Sequence, residues 1–295
     1  MAISGTKGFF RPENAQEAVQ ILAAHGDRAV LLAGGTFLHS LLARGPSFRA
    51  EVLVDLQRAG LSYVKIANGT LALGAMTTFR EVAEAEQLRD RPEYGAIRDA
   101  LNYPPPQIRN MATVGGCVAA AFPLFDLPIA LMVLDGSVKA LGPRGSREVR
   151  LDKFFVDYFE HALEKGEFLT EVLLPKLPPR SASAFLKLET NANDLALLNV
   201  GACITLDIAG ICHEARVVIG GGVGKVPVRM VSCENALKGQ RPSPKLLEEA
   251  SQAISLDLHP VSDHRALAHY RSAVAKVYAR RTLRRAIGRL GVELG

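Results

Sequence analysis

Three closely spaced prolines divide this chain of 295 residues into two unequal parts. They lie in the stretch Pro175-Lys-Leu-Pro-Pro-Arg-Ser-Ala-Ser183. Because proline lacks a backbone N–H, a helix or a central strand is not expected to run through such a stretch. A chain of this length is also large enough for two domains that share an interface. We therefore expect an N-terminal domain of residues 1–177 and a C-terminal domain of residues 178–295.

The composition is that of a folded protein, with 48% hydrophobic and 22% charged residues. No apolar run approaches the roughly 18 to 20 residues of a membrane helix, and the N-terminus lacks the apolar core of a signal peptide. We expect a cytoplasmic protein with no membrane span. The net charge of +5 comes without tryptophan and without basic runs interleaved with aromatics, so nucleic acid is not expected as a partner. An anionic dinucleotide or an acidic protein suits this charge better.

The cysteines and histidines show no metal-binding pattern. The four cysteines form no C-x-x-C pair, and the seven histidines form no H-x-x-x-H pair. Zinc and iron–sulfur sites normally need such local spacing. We therefore expect no metal site in this chain, and no acid–base or nucleophilic triad was identified either.

The residues before the prolines predict mixed helices and strands. A capping box at Asn14 and Glu17 with Gly26 at the end predicts the first helix. A βαβ-like unit is predicted next, with strands 29–33 and 52–56 around a helix over 37–44. Asn68-Gly69 predicts a two-residue hairpin, and Thr78 with Glu81 predicts another helix start. Further strands are expected at 137–141, 148–151 and 168–174.

Beyond the prolines we expect a sheet backed by helices. Strands are predicted at 184–188, 197–208 and 211–219, with a turn at 209–210. A final helix is predicted over 263–290, with an apolar side made of Leu267, Tyr270, Val274, Val277 and Leu283. Its arginines are expected to form a solvated face, with partner docking as a minority alternative: Arg280, Arg281, Arg284, Arg285 and Arg289.

Two glycine pairs could bind an anion. They are Ala33-Gly-Gly-Thr36, after a strand, and Thr113-Val-Gly-Gly-Cys117, after a turn. Paired glycines expose backbone N–H donors that a diphosphate can approach without meeting a Cβ. Neither pair belongs to G-x-G-x-x-G or to a Walker loop. A Gly-Gly turn without a ligand is the alternative for each pair taken alone.

Asp126 has two compatible interpretations. It precedes a predicted helix over 127–134 and could cap it. Its carboxylate could also accept hydrogen bonds from the hydroxyls of a ribityl or ribose chain.

Taken together, four N-terminal motifs resemble successive signatures of one family. The motifs are Leu31-Leu-Ala-Gly-Gly-Thr-Phe-Leu38, Gln107-Ile-Arg-Asn-Met-Ala-Thr-Val-Gly-Gly-Cys117, Phe122-Pro-Leu-Phe-Asp-Leu-Pro128 and Gly166-Glu-Phe-Leu-Thr-Glu-Val-Leu-Leu-Pro175. The C-terminal part is similar through Val217-Val-Ile-Gly-Gly-Gly-Val223, Pro227-Val-Arg229 and Glu234-Asn-Ala-Leu-Lys-Gly239. The family is that of the FAD-binding (medium) subunits of molybdenum hydroxylases, such as xanthine dehydrogenase and aerobic carbon monoxide dehydrogenase.

The resemblance implies an α+β fold. It would comprise a vanillyl-alcohol-oxidase (PCMH)-type FAD domain of two α/β subdomains, about 1–58 and 59–177, and a smaller C-terminal α/β domain. The implied FAD-binding residues are Leu31, Leu32, Ala33, Gly34, Gly35, Thr36, Phe37, Leu38, Tyr103, Ile108, Thr113, Val114, Gly115, Gly116, Cys117, Asp126, Leu169 and Lys187. Within this set the two glycine segments would surround the diphosphate, Tyr103 and Leu169 would lie against the cofactor, and Asp126 would bind the ribityl region.

The resemblance also implies a function and partners. The chain would pass electrons from a small subunit with two [2Fe-2S] clusters to a terminal acceptor, while a large molybdopterin subunit hydroxylates the substrate. A dimer of heterotrimers is the implied assembly. Two alternatives stay open: a stand-alone FAD oxidoreductase of the same fold, and a non-catalytic assembly subunit that has lost FAD.

Three departures from the family pattern bear on these expectations. Phe37 stands where an acidic or small polar residue is usual, and Cys117 replaces a common Asn or Ser. Residues 187–194 lack the Ser-Arg-Arg that many relatives carry near the isoalloxazine. Losing those arginines removes positive charge that could attract an anionic nicotinamide dinucleotide, so NAD is in doubt as the acceptor.

Overall fold

The structure is a computed structural model that describes residues 6–38, 50–191 and 194–294. Its strands are β1 (Gly8–Phe10), β2 (Ala29–Leu32), β3 (Val52–Asp55), β4 (Val64–Ala67), β5 (Thr70–Gly74), β6 (Ser137–Gly142), β7 (Gly145–Arg150), β8 (Phe155–Asp157), β9 (Glu160–His161), β10 (Phe168–Leu174), β11 (Ser181–Leu188), β12 (Leu198–Leu206), β13 (Cys212–Gly220) and β14 (Val228–Arg229). Its α-helices are α1 (Ala15–His25), α2 (Phe79–Glu84), α3 (Gly95–Leu101), α4 (Pro106–Met111), α5 (Val114–Ala119), α6 (Leu127–Met132), α7 (Leu151–Phe154), α8 (Val231–Leu237), α9 (Pro244–Ala253) and α10 (Ala268–Gly288). The predicted α+β class is confirmed.

The N-terminal layer is a parallel sheet of order β1-β3-β2. The adjacent parallel pair β2 and β3 confirms the two strands of the predicted βαβ-like unit, whereas β1 was not predicted. A helical turn begins at Thr36, and the rest of the predicted helix over 37–44 lies outside the described residues from position 39 onward. At α1, the Asn14 side chain accepts from the N–H of Glu17, but the Glu17 carboxylate binds the N–H of Glu13. The predicted reciprocal capping box is therefore wrong in its second half.

The middle layer is an antiparallel sheet of order β4-β5-β10-β6-β7. Asn68 and Gly69 have φ values of 51° and 82°, which confirms the predicted hairpin turn between β4 and β5. Thr78 and Glu81 form both hydrogen bonds of a capping box at α2, as predicted. The central strand β10 pairs with β5 and β6, and five of its seven residues are buried.

The C-terminal layer is an antiparallel sheet of order β11-β12-β13-β14. Every residue of β12 is buried, because α10 packs on this sheet from one side and α3 and α6 approach it from the N-terminal part. The three long strands correspond to the predicted ones. The first of them begins at Ser181, so the last three residues of the proline-rich stretch already belong to β11.

The buried side of α10 differs from the predicted one. Leu267 and Tyr270 are 55% and 45% exposed, whereas the buried positions centre on small residues and on Arg271. Small residues at Ala275 and Ala279 let the helix lie close to the sheet, so the long apolar side chains are not needed there. The apolar side assigned from the sequence is therefore wrong in its first turn.

Arg271 is almost fully buried, and its hydrogen bonds connect the last helix to the start of β12. Its guanidinium makes two 2.8 Å hydrogen bonds to Asp263 and also donates to the carbonyls of Leu197 and Val261. A buried guanidinium needs this many acceptors, since each unpaired N–H would carry a desolvation cost.

The contribution of the Arg271 and Asp263 ion pair to stability depends on pH. Burial raises the pKa of Asp263, but hydrogen bonds from Arg271 and from the N–H groups of Ala266 and Arg265 outweigh it and hold the pKa at about 2. A depressed pKa in the folded state stabilises the fold above the ordinary value near 3.8, and the contribution is lost as pH falls toward 2. We expect the stability difference between wild type and Asp263→Asn to shrink between about pH 4 and pH 2, as followed by urea unfolding. Asp27→Asn, at an exposed ion pair with Lys165, should show a small difference across this range; an equal response in both variants contradicts the assignment.

Arg285 of α10 and Arg289, directly after the end of this helix, join the two halves of the chain. Arg285 and Arg289 donate to the buried carboxylate of Asp99 on α3 at 2.7–2.9 Å, and the N–H of Phe185 completes its shell. Asp99 is 5% exposed. The expectation of a solvated arginine face is wrong for Arg289, whose side chain is 21% exposed, whereas Arg285 is 47% exposed and still pairs with Asp99. The sequence could not indicate this partner, because it lies 186 and 190 positions away. The other three contact their own domain: Arg280 pairs with Glu248, Arg281 lies over Tyr278 and Arg284 donates to the carbonyl of Leu294.

Candidate functional site

A large apolar cavity of about 890 Å³ lies among the corner after β2, helices α4 and α5, and strands β10 and β11. Such a volume is in the upper range of small-molecule and cofactor sites. Sixteen of the eighteen predicted cofactor-binding residues line it: Leu31, Ala33, Gly34, Gly35, Thr36, Phe37, Leu38, Tyr103, Ile108, Thr113, Gly115, Gly116, Cys117, Asp126, Leu169 and Lys187. Leu32 and Val114 do not line it; the side chain of Val114 is fully buried in the core.

The corner after β2 presents open backbone to this cavity. Gly35 has a φ of 70°, a conformation that suits glycine. Gly34 lies so close to α4 that a Cβ would overlap the carbonyl oxygen of Met111 and lie 2.7 Å from its carbonyl carbon. Among the described residues, the N–H groups of Gly34 and Gly35 have no acceptor. Two neighbouring open donors beside a helical turn form a site for an anion.

The second glycine pair is built differently. Thr113 caps α5, and its Oγ1 accepts from the N–H of Gly116 at 3.2 Å. The N–H groups of Val114, Gly115 and Cys117 donate to the carbonyls of Thr77, Ala75 and Thr113, respectively. The free donors expected from this pair are therefore already engaged within the chain. Glycine at position 115 is needed instead for packing, since a Cβ would lie 2.9 Å from the Cα of Ala75.

Phe37 belongs to a cluster of four phenylalanines at the cavity wall. Its ring stacks on those of Phe122 and Phe159 at 5.6 and 5.9 Å, and meets Phe125 edge-on at 5.3 Å. Such arrangements stabilise a site beyond simple burial of area. Phe37, at a position where the family usually has an acidic or small polar residue, is thus part of a packed apolar wall.

Asp126 does not cap α6, so that interpretation is wrong: its side chain makes no hydrogen bond to the helix N-terminus. The carboxylate instead accepts from Nζ of Lys187 at 3.1 Å and from Nδ2 of Asn199 at 3.0 Å. Burial raises the pKa of Asp126, while Lys187 and Asn199 oppose this effect. The carboxylate still reaches the cavity, where its remaining lone pairs can accept from ligand hydroxyls.

Tyr103 and Leu169 contribute to the walls on two sides. Tyr103 accepts from the N–H of Lys187 and packs edge-on against Phe185, so two contacts with strand β11 fix the ring. Burial raises the pKa of Tyr103, and the phenol is therefore neutral at physiological pH. Leu169 is 4% exposed on β10, next to a bulge that turns the strand at the cavity.

Cys117 lines the cavity as a neutral thiol. Burial raises the pKa of Cys117, and the nearby negative charge of Asp126 adds to this effect. A thiol is nucleophilic as the thiolate, so this side chain acts as a small apolar wall residue.

The chain is similar to known flavoprotein subunits over its whole length. A model of the FAD binding domain in molybdopterin dehydrogenase matches residues 4–177, and one of the CO dehydrogenase flavoprotein C-terminal domain matches residues 183–286. The chain belongs to the flavin subunits of the molybdenum hydroxylases. The flavin subunit is an oxidoreductase component, and its cofactor is FAD.

Relatives of this flavin subunit come from several dehydrogenases. It is 32% identical to the 6-hydroxypseudooxynicotine dehydrogenase complex subunit alpha of Paenarthrobacter nicotinovorans, over 94% of this chain and 93% of that one. It is 30% identical to the carbon monoxide dehydrogenase medium chain of Afipia carboxidovorans, over 97% and 99%. A solved structure, reconstituted CO dehydrogenase from Oligotropha carboxidovorans, matches with a TM-score of 0.91 at 28% identity, over 98% of this chain and 100% of that one. The expected fold is confirmed by this match.

The residues of the flavin subunit fit FAD. The cavity has the volume for a cofactor, its walls are mostly apolar, and the open N–H groups of Gly34 and Gly35 suit a diphosphate. Asp126 and Lys187 supply the few convergent polar groups that orient such a ligand.

Several cavity residues of the flavin subunit were not predicted. His161 lines the cavity from the hairpin of β8 and β9; burial lowers its pKa, and its Nδ1 has no hydrogen-bond partner among the described residues. Asp194 and Leu195 line it from the segment before β12, where Arg265 donates to the carbonyls of Leu195 and Ala196. No local motif marks these residues, since each reaches the cavity through contacts with distant elements.

Among the described side chains, no three His, Cys, Asp or Glu residues come together to hold a metal ion. Every helix within the described ranges is too short or too polar to traverse a bilayer.

Proposed function

We propose that this flavin subunit transfers electrons from a small [2Fe-2S] subunit to a terminal acceptor. The observation that carries the proposal is the cavity itself: open N–H donors at Gly34 and Gly35 in one continuous site with Tyr103, Asp126 and Lys187. Bound FAD would supply the redox chemistry of this transfer.

The residues of the chain bind FAD, orient it and shield it from water. The corner at Gly34 and Gly35 donates hydrogen bonds to the diphosphate. Asp126 accepts from the ribityl hydroxyls, and its ion pair with Lys187 fixes the carboxylate in place. The phenylalanine cluster and Leu169 exclude water from the apolar part of the site. Dry surroundings strengthen every electrostatic contact with the cofactor.

The proposed assembly follows the family. We propose a small [2Fe-2S] subunit and a large molybdopterin subunit as partners, in a dimer of heterotrimers. Support comes from the relatives, whose names describe a subunit of a complex or a medium chain. The division into domains at 177 and 178, with subdomains about 1–58 and 59–177, is proposed with it. The cytoplasmic location stays a prediction.

The terminal acceptor is proposed to be uncharged rather than NAD. The segment between β11 and β12 carries Glu189 and Asp194 and lacks arginine, so it does not favour an anionic dinucleotide. Arg265 adds a positive charge here, but its guanidinium binds two backbone carbonyls and lies 3.4 Å from Asp194.

FAD content tests the proposed function. The purified protein should contain close to one FAD per chain, released as a yellow chromophore on denaturation and measured by absorbance. A colourless protein that also takes up no added FAD contradicts the proposal. A loaded chain with high substrate turnover and no partner present would favour the stand-alone oxidoreductase instead.

A further inference from the structure

Lys187 holds its ammonium group between two carboxylates. Nζ lies 3.1 Å from Oδ2 of Asp126 and 3.1 Å from Oε2 of Glu189. The lysine side chain is 4% exposed, and the two acids are 10% and 22% exposed. At this degree of burial the charges are screened little by solvent, so their sum contributes to the potential in the adjoining cavity.

Within the described ranges, Lys187 is the one residue with which Glu189 forms an ion pair. Its Oε2 is buried, and no donor among the described residues is aligned to make a hydrogen bond with it. Asp126, in contrast, also accepts from Asn199. A buried carboxylate oxygen held by one electrostatic contact costs stability, which suggests a function for the charge.

The ammonium group of Lys187 lies close to the ring of Tyr103 at the cavity. Nζ lies 5.2 Å from the centre of the Tyr103 ring, and both residues line the cavity. Lys187 and Asp126 line the cavity, whereas Glu189 lies behind them, in contact with the Lys187 ammonium. Whether or not Asp126 holds a proton, the carboxylate of Glu189 makes this group of three charges one unit more negative than the Lys187 and Asp126 pair alone.

We propose that Glu189 is a positioning residue that fixes the Lys187 ammonium and lowers the reduction potential of the flavin. This inference rests on the proposed function, because it needs FAD in the cavity. Uptake of two electrons and one proton leaves the flavin with one negative charge, so negative charge nearby disfavours reduction. The electrons come from the [2Fe-2S] partner, or from dithionite in a titration. A low potential makes the reduced site a better donor to the acceptor.

The test is a redox titration of the FAD-loaded protein followed by flavin absorbance. Glu189→Gln keeps the shape and removes the charge. We expect its midpoint potential to rise by about 30 mV, a tenfold change for a two-electron couple. Glu189→Asp keeps the charge and should stay closer to wild type. Glu86→Gln is the matched control, because it removes the same charge from an exposed carboxylate that has no contact with Lys187.

The outcomes separate this inference from the proposed function. Normal FAD content with an unshifted potential in Glu189→Gln overturns the inference and leaves the proposed function intact. An equal shift in Glu86→Gln also overturns it, since net charge alone would then be the cause. A wild-type chain that takes up no FAD overturns both.

Discussion

Replacing Gly34 by alanine is expected to abolish FAD binding and to destabilise the protein by about 3 kcal/mol. The new Cβ would overlap the carbonyl oxygen of Met111, so the corner after β2 and helix α4 must separate. Both elements line the cavity, and their separation moves the open N–H groups away from the rest of the site. Isothermal titration with FAD and chemical unfolding measure the two effects.

Two further glycines calibrate the Gly34 result. In Gly35→Ala the new Cβ would lie 3.4 Å from Cδ1 of Leu32, which is an ordinary contact. The φ of 70° is strained for alanine, so we expect the free energy of unfolding to fall by about 1 kcal/mol. Gly224→Ala has its nearest neighbour at 3.5 Å and should change stability by less than about 0.5 kcal/mol. Full FAD binding by Gly34→Ala would rule out the close approach as a requirement of the site.

Replacing Asp99 by alanine is expected to lower the free energy of unfolding by about 3–5 kcal/mol. The substitution leaves the guanidinium groups of Arg285 and Arg289 without their carboxylate and the N–H of Phe185 without its acceptor. Helix α3 also lines the cavity through Ala100 and Leu101, so FAD affinity should fall as well. Thermal unfolding with and without FAD measures both effects.

An exposed ion pair provides the comparison for Asp99. Glu84→Gln breaks the contact with Arg80, which is the i,i+4 pair of α2, and should cost less than about 0.5 kcal/mol. Equal losses in Asp99→Ala and Glu84→Gln would show that the contact between α3 and α10 adds little to stability.

Elements governed by local chemistry were predictable from the sequence. The turn at Asn68 and Gly69, the cap at Thr78 and the long strands of the C-terminal sheet all depend on residues within a few positions of one another. The short strands β1, β8 and β9 were missed because three residues or fewer carry no periodic pattern.

Features that depend on distant partners were not predictable in the same way. Asp126 precedes a helix, as a cap does, yet its partners Lys187 and Asn199 lie 61 and 73 residues away. Gly115 resembles an open donor, but a backbone at Ala75 lies against it. Arg271 is charged and buried, which a pattern of apolar residues cannot indicate. The motifs in the sequence predicted most of the residues that line the cavity. The hydrogen bonds among these residues could be seen only in the tertiary structure.

The link between α3 and α10 has a consequence for biosynthesis. On the ribosome, Asp99 is made 186 residues before Arg285 and 190 before Arg289. Until those arginines leave the exit tunnel, burying the carboxylate would cost free energy, so α3 cannot settle against the C-terminal sheet. The wall formed by Ala100 and Leu101 is thus completed only after both arginines can pair with Asp99. FAD is therefore expected to bind only to chains in which Arg285 and Arg289 have already left the tunnel.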